Sequence, residues 1–253
     1  MTLKVFAFTT GWITLPFGAF LEGETGTLKV PVPSYLIQHP KGNVLFDTGM
    51  HVAMQTDYRS RLGKVSSRAT IHFEPGDEIS AQLRKVNLGP QDIDIIVNSH
   101  LHYDHAGGNA QIPNARVVVQ KREWQAGQDP ELSVKNGFIR DDYDHGHDVV
   151  QVDGEYDLFG DGSVVTLPTH GHTPGHQSLR LRGTSCNHLL CGDACYLRRN
   201  LDEMRPPTIA FDRQQLVQSL GRIRDLQAQG VTIVFGHDPQ FWDSVPQAPE
   251  PLV

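Results

Sequence analysis

His100-Leu101-His102-Tyr103-Asp104-His105, running on into Ala106-Gly107-Gly108-Asn109, is the stretch on which the reading of this chain turns. An apolar run at 94–97 precedes it and reads as a buried strand. At an extended strand end His100 and His102 point to the same side, and the following turn can swing Asp104 and His105 toward a second point nearby. That pattern offers ligands to two ions rather than one. A lone histidine in a polar loop most often does no more than bond to backbone. Four imidazole or carboxylate groups within six positions fit that bland reading poorly, because these are the donors Zn²⁺ and its neighbours prefer.

Three more candidates lie further along, each just past an apolar run. His172 sits in Thr169-His170-Gly171-His172-Thr173-Pro174-Gly175-His176 after 164–167, Asp193 follows 189–191, and His237 follows 232–235. Open α/β sheets place their sites outside the carboxyl ends of strands, where such residues converge. Taken singly, each is as readily a capping or core residue. Beside the cluster at 100–105, each becomes a candidate ligand.

Short apolar runs separated by Gly, Pro and Asp predict strands at 34–37, 44–46, 94–97, 117–119, 164–167, 178–181, 189–191 and 232–235. Helices are predicted at 78–86, stopped by Gly89-Pro90, and at 213–229, with Asp212 as N-cap, a stripe at Leu216, Leu220, Ile223 and Leu226, and Gly230 beyond its end. The mixture is α/β. Val44-Leu45-Phe46-Asp47-Thr48-Gly49 and Leu189-Leu190-Cys191-Gly192-Asp193-Ala194 echo each other weakly, so residues 1–253 are expected to form a single domain of two similar halves.

At 253 residues and 38% hydrophobic content the chain is long enough to bury a full core. A net charge of −7 argues against a broad basic surface for nucleic acid or anionic lipid. Residues 1–20 are apolar but broken by Thr9, Thr10, Gly11 and Pro16 and have no export signature, and no stretch is long enough to span a bilayer. Three cysteines make a poor disulfide framework. The expectation is a soluble cytoplasmic protein, monomer or homodimer, acting on a small molecule, with no nucleic acid and no membrane partner.

The series His-x-His-x-Asp-His, His-Thr-Pro-Gly-His, Asp193 and Gly236-His237 resembles the metallo-β-lactamase superfamily across almost the whole chain. Asp47-Thr48-Gly49 resembles that superfamily's early motif, whose aspartate supports the metal loop. The resemblance implies an αββα sandwich. It also implies that His100, His102 and His172 hold one divalent ion, that Asp104, His105 and His237 hold a second, and that Asp193 bridges them. Within the superfamily the sequence is most similar to the N-acyl-homoserine lactonases, through residues 99–109, 171–178 and 236–238 and through Tyr196, three places after Asp193. The implied activity is a dinuclear metal-dependent hydrolase opening lactone rings. A hydroxide bridging the two ions would attack, since water so held has a pKa lowered to about 7. Tyr196 would assist at the carbonyl and Asp104 would pass a proton to the leaving oxygen. Zinc is the first expectation for both metal ions, although the same donors accept iron, manganese or cobalt.

Other readings stay open at this level. Thioester hydrolysis of the hydroxyacylglutathione hydrolase type uses much the same constellation, and phosphotriester or other ester hydrolysis is possible on the same scaffold. A basic patch for glutathione carboxylates would favour the first, and Arg180, Arg182, Arg198 and Arg199 come nearest to one. Redox di-iron proteins of this fold carry a glutamate in place of His102 and an added flavin domain, which disfavours that role. Tyr196 could be an ordinary buried tyrosine. His170 and His176 could orient a ligand or merely structure a turn. Cys191 and Cys195 read as small core residues. The stretch Asp141, Asp142, Asp144, His145, His147, Asp148 reads as a solvated loop rather than a second metal cluster. Trp12, Ile13, Leu15, Phe17, Phe20 and Leu21 show no period and are either an apolar pocket wall or a packed arm.

Overall fold

Period-two alternation decides how the layers stack. In β1 (Lys4–Pro16), β2 (Thr27–His39) and β3 (Gly42–Phe46), the side chains of Val5, Ala7, Tyr35, Ile37, Val44 and Phe46 enter one core, while Phe6, Phe8, Leu36 and Leu45 enter another. A computed structural model describes residues 2–253, so Met1, the first residue of the apolar N-terminal stretch, lies outside the described residues. These strands belong to a seven-stranded sheet with β4 (Thr70–His72), β5 (Ile95–Val97), β6 (Arg116–Gln120) and β7 (Val149–Val152), in the order β4-β1-β2-β3-β5-β6-β7. From β3 to β7 the pairing is parallel. A five-stranded sheet has the order β12-β11-β10-β9-β8, from β8 (Tyr156–Asp157), β9 (Val164–Pro168), β10 (Gln177–Arg182), β11 (Asn187–Leu190) and β12 (Thr232–Val234).

The two sheets share a core in which Val5, Ile37, Phe46 and Val118 meet Val164, Leu179, Leu190 and Val234. Outside the first sheet, Phe8, Leu36 and Leu45 pack on Ile79 and Leu83 of the helix Ile79–Arg84. Outside the second, Leu189 and Ile233 pack on Leu220 and Ile223 of the helix Arg213–Ala228. The layering is therefore the expected αββα sandwich. Asp212 caps the second helix by accepting the Gln215 N–H at 3.0 Å, and Gly230 follows it at φ +84°.

Of the N-terminal apolar residues, Trp12, Ile13 and Leu15 lie in the thirteen-residue strand β1, and Phe17 and Phe20 in the short helix Phe17–Phe20 that follows it. The strand's pairing with β2 shifts register between Thr9 and Trp12, around Gly11 at φ +105°. The bulge moves side chains to the other face, and that is why no single period runs through it. Among the described residues no helix is long and apolar enough to cross a membrane.

Every candidate ligand lies past the carboxyl end of a strand, residues 100–105 after β5, His172 after β9, Asp193 after β11 and His237 after β12, and the supporting Asp47 follows β3 in the same way. Both sheets thus aim their polar turns at one edge of the sandwich.

Candidate metal centre

The loop after β5 brings His100 and His102 together, and the turn after β9 adds His172. His100 Nε2 and His102 Nδ1 lie 2.9 Å apart, and His172 Nε2 is 3.2 Å from the first and 3.0 Å from the second. A short helix, Tyr103–Ala106, then turns Asp104 and His105 toward His237, with His105 Nε2 and His237 Nε2 3.3 Å apart and Asp104 Oδ2 at 3.5 and 3.8 Å from them. Asp193 stands between the two groups. Its Oδ2 is 3.2 Å from His172 Nε2 and 3.6 Å from His100 Nε2, while Oδ1 is 3.2 Å from His105 Nε2 and 3.0 Å from His237 Nε2. All seven expected ligands therefore converge.

The opposite ring nitrogens fix the tautomers. His102 Nε2 donates to Asn136 O (2.7 Å), His172 Nδ1 to Ile209 O (3.2 Å) and His237 Nδ1 to Pro31 O (2.6 Å). His105 Nδ1 donates to Asp47 Oδ2 (2.8 Å), and His100 Nδ1 to Ser99 Oγ (2.9 Å), whose own proton goes to Asp47 Oδ2 (2.7 Å). Each ring so held turns its other nitrogen to the centre, the arrangement typical of metal-ligating histidine.

These side chains fit a pair of cations. Three bare nitrogens about 3 Å apart repel one another unless something positive lies between them, and tetrahedral zinc with bonds of about 2.0–2.1 Å would space them at about 3.3 Å. Asp193 Oδ1 is buried and has no hydrogen-bond partner. Burial drives the imidazole of His100 well below its ordinary pKa, lowers His102, and holds His172 down at about 3, so these rings stay neutral donors. Burial also pulls on His105 and His237, but the carboxylates of Asp193 and Asp104, with Asp47 for His105, outweigh it and raise both. Carboxylates packed this closely draw positive charge into that half of the site.

Two further groups hold the ligand loops. Glu123, fully buried, accepts the Leu101 N–H at 3.1 Å through Oε1 and the Gly175 N–H at 2.7 Å through Oε2, tying the 100–105 loop to the 172–176 loop. Burial raises its pKa to about 7 against the pull of those donors. His176 does not reach the centre as a ligand. Its Nε2 accepts the Asp193 N–H (3.0 Å), and Nδ1 donates into the chain Thr169 Oγ1, Ser178 Oγ, Cys191 O, so it fixes the turn that carries Asp193. His170 Nδ1 only bonds His176 O. Gly171, at φ +126°, passes so close to the helix Arg213–Ala228 that a Cβ there would lie 2.1 Å from Leu216 N.

A groove of about 360 Å³ opens above the centre, with His102, Asp104, Asp193, Tyr196 and His237 at its floor and Ile13, Leu15, Phe20, Leu62, Phe138 and Ile139 among its walls. The N-terminal stretch thus supplies a pocket wall, Ile13 and Leu15 from its strand and Phe20 from the short helix after it. Tyr196 Oη lies 3.4 Å from His172 Nδ1, and burial together with the charges of Asp193 and Asp104 holds its phenol pKa well above the ordinary value. Cys191 and Cys195 are buried free thiols. The arginines at 180, 182, 198 and 199 do not line the groove, and Arg180 is spent on Leu181 O and His188 O.

A family model described as Metallo-beta-lactamase superfamily matches residues 28–237, from early in β2 to the last candidate ligand. The chain belongs to the metallo-β-lactamase superfamily. Among curated members it is similar to the N-acyl homoserine lactonase AttM of Azorhizobium caulinodans, 34% identical over 90% of this chain and 89% of that protein. It is also similar to an N-acyl homoserine lactonase of a Bacillus species, 33% identical over 83% of this chain and 82% of that one. A superfamily structure solved for an N-acyl homoserine lactone hydrolase, with the product N-hexanoyl-L-homoserine bound at its catalytic metal center, aligns at TM-score 0.90 and 29% identity over 99% of this chain and 100% of the other.

Sequence reasoning missed two parts of this superfamily site. Glu123 sits in a helix with no ligand-like neighbours, and only its complete burial reveals a role. The acidic stretch at 141–148 is not simply solvated: Asp142 is fully buried against Arg61, while Asp144 and Asp148 pair with Arg140 and Arg116.

Proposed function

We propose that this chain hydrolyses the lactone ring of N-acyl-homoserine lactones at a two-metal centre. In this reading His100, His102 and His172 hold one ion, Asp104, His105 and His237 hold the other, and Asp193 bridges. The observation that carries it is the division of Asp193, one carboxylate oxygen facing each histidine group, at the floor of an apolar groove. Two bound divalent ions would supply a water of lowered pKa and a Lewis acid for the ring carbonyl. Zinc is the proposed metal and the cytoplasm the proposed location, in keeping with three free cysteines. The whole of 1–253 is proposed to act as one domain of two halves, which meet in the shared core between the sheets.

The side chains divide the remaining work. Tyr196, kept protonated by its surroundings, donates a hydrogen bond toward the carbonyl oxygen as negative charge develops there. Burial opposes ionisation of Asp104, but His105 and His237 overcome it and keep the carboxylate deprotonated. It can therefore take the proton released as water adds to the carbonyl carbon and deliver it to the ring oxygen as the C–O bond breaks. Lactone and water are consumed, and the open hydroxy acid is the product. No lysine or arginine lines the groove among the described residues, so nothing there would grip the carboxylates of a glutathione thioester.

Turnover by purified protein on acyl-homoserine lactones, simpler lactones and glutathione thioesters, with and without chelator, tests this. Chelator-sensitive opening of acyl-homoserine lactones is expected to exceed thioester cleavage, and the reverse order would sink the lactone assignment.

A further inference from the structure

The groove is walled by two chain segments whose anchoring differs. Phe138 and Ile139 lead into the helix Arg140–Tyr143, which is moored by Tyr143 Oη donating to Gly127 O at 2.7 Å and Arg140 Nη2 donating to Gln128 Oε1 at 2.8 Å. Leu62 and Val65 come from residues 54–67, a segment held by the burial of Met54 and Leu62 among Ile13, Phe20, Ile71 and Phe73 but by few polar ties. Among the described residues its backbone hydrogen bonds are all local, and Gln55 alone secures its beginning, to Glu74 O and Glu78 Oε2. At its far end Arg61 makes a polar link to the other wall. Nε and Nη2 of that guanidinium both reach Asp142 Oδ1, and Nη2 also donates to Asp141 O at 3.0 Å.

Asp142 is an expensive residue to place there. Its side chain has no solvent exposure, that of Arg61 has 16%, and Asp142 Oδ2 has no hydrogen-bond partner. Burial pushes the carboxyl pKa up to about 6 in spite of the guanidinium. A buried pair with half its acceptors unmet stabilises a fold no better than apolar side chains of similar size would. Its directionality is what apolar packing lacks, since two nitrogens on one oxygen, one of them shared with the adjoining carbonyl, fix how the segments meet.

We propose that the Arg61–Asp142 pair is a positioning device for the acyl side of the substrate, fixing residues 54–67 against the helix Arg140–Tyr143 so that Leu62 and Val65 complete the groove over an acyl chain. The inference rests on the lactonase function proposed above for the choice of substrate. Among the described residues no hydrogen bond or ion pair joins Arg61 or Asp142 to the candidate ligands or to Tyr196, so loss of the pair acts on chain binding rather than on ring opening. Each methylene withdrawn from the wall weakens binding by up to about fourfold, so the effect grows with acyl length.

The test compares wild type with Arg61→Met on N-decanoyl- and N-butanoyl-homoserine lactone, with hydrogen exchange of residues 54–67 followed in parallel. The expected result is a rise in KM of about tenfold or more for the decanoyl substrate, kcat within twofold, both constants within twofold for the butanoyl substrate, and faster exchange across 54–67. Equal losses on both substrates, a fall in kcat alone, or unchanged KM and exchange would overturn the proposal. Should Arg61→Met not fold, Asp142→Asn keeps the shape and removes the charge, and the same split at about threefold is required of it. If wild type opens neither lactone, the lactonase reading fails on its own, and exchange still decides whether the pair fixes the segment.

Discussion

His102 and Asp104 sit two positions apart yet face different histidine groups, and their loss should be felt in the same way. His102→Ala and Asp104→Asn are each expected to reduce lactone turnover by more than the roughly 10–100-fold that follows loss of a ligand's outer partner. Most of the fold should remain, as judged by circular dichroism, and near-wild-type rates in either variant would contradict their roles. Tyr196→Phe removes one hydrogen-bond donor at the carbonyl while leaving the ligands in place. A loss of kcat of up to about 10²-fold is expected, the low end for an oxyanion donor because the metals share the task, and no change would remove Tyr196 from the chemistry. His102 and Asp104 could be singled out in the sequence because ligand-type side chains crowd into a few positions next to a strand end, whereas Tyr196 stood out only through the family resemblance. Glu123 and Asp142 could not. A carboxylate's role there depends on which distant N–H or guanidinium the fold brings to it, and local sequence carries no trace of that.

At the level of elements, the helix bearing Glu123 is what joins two ligand loops that the chain itself keeps seventy residues apart, from His102 to His172. Its folded-state pKa of about 7 lies above the ordinary 4.5. The native state therefore binds this proton more tightly than the unfolded chain does, and the stability it contributes is fully present below pH 4.5 and lost as pH rises through 7. The shift corresponds to about 3 kcal/mol. Urea unfolding of wild type and Glu123→Gln from pH 5 to 8 should show the wild-type advantage shrinking by up to that amount, and a difference constant with pH would refute the assignment. Element boundaries followed the same logic of legibility. The helix at 213–228 was readable from its cap, stripe and terminal glycine. The first strand was not, because the bulge at Gly11 destroys the alternation that would have marked it.

At the scale of the whole molecule, the sandwich brings the ends of strands from both sheets to one edge, so the centre exists only when both sheets are correctly packed. Five imidazoles and two carboxylates are thereby held at near-contact distances that suit cations better than one another. Metal should stabilise the fold accordingly: at a free concentration of 100 times Kd a bound ligand adds about 2.7 kcal/mol per site, which in a chain of this size raises the melting temperature by several degrees. The net charge of −7 was readable from composition and the groove's apolar wall was only one of two readings of the N-terminal stretch; both agree with a small, largely apolar substrate. Closure of the groove by residues 54–67 was not readable, since it depends on one long-range ion pair.

The most direct measurement is a titration of metal-stripped protein with Zn²⁺, following hydrolysis of N-hexanoyl-homoserine lactone and bound metal together. Activity should rise to a plateau at two equivalents per chain and vanish again with chelator. A plateau at one equivalent, or a fully loaded protein that leaves the lactone intact, would contradict a two-metal lactonase.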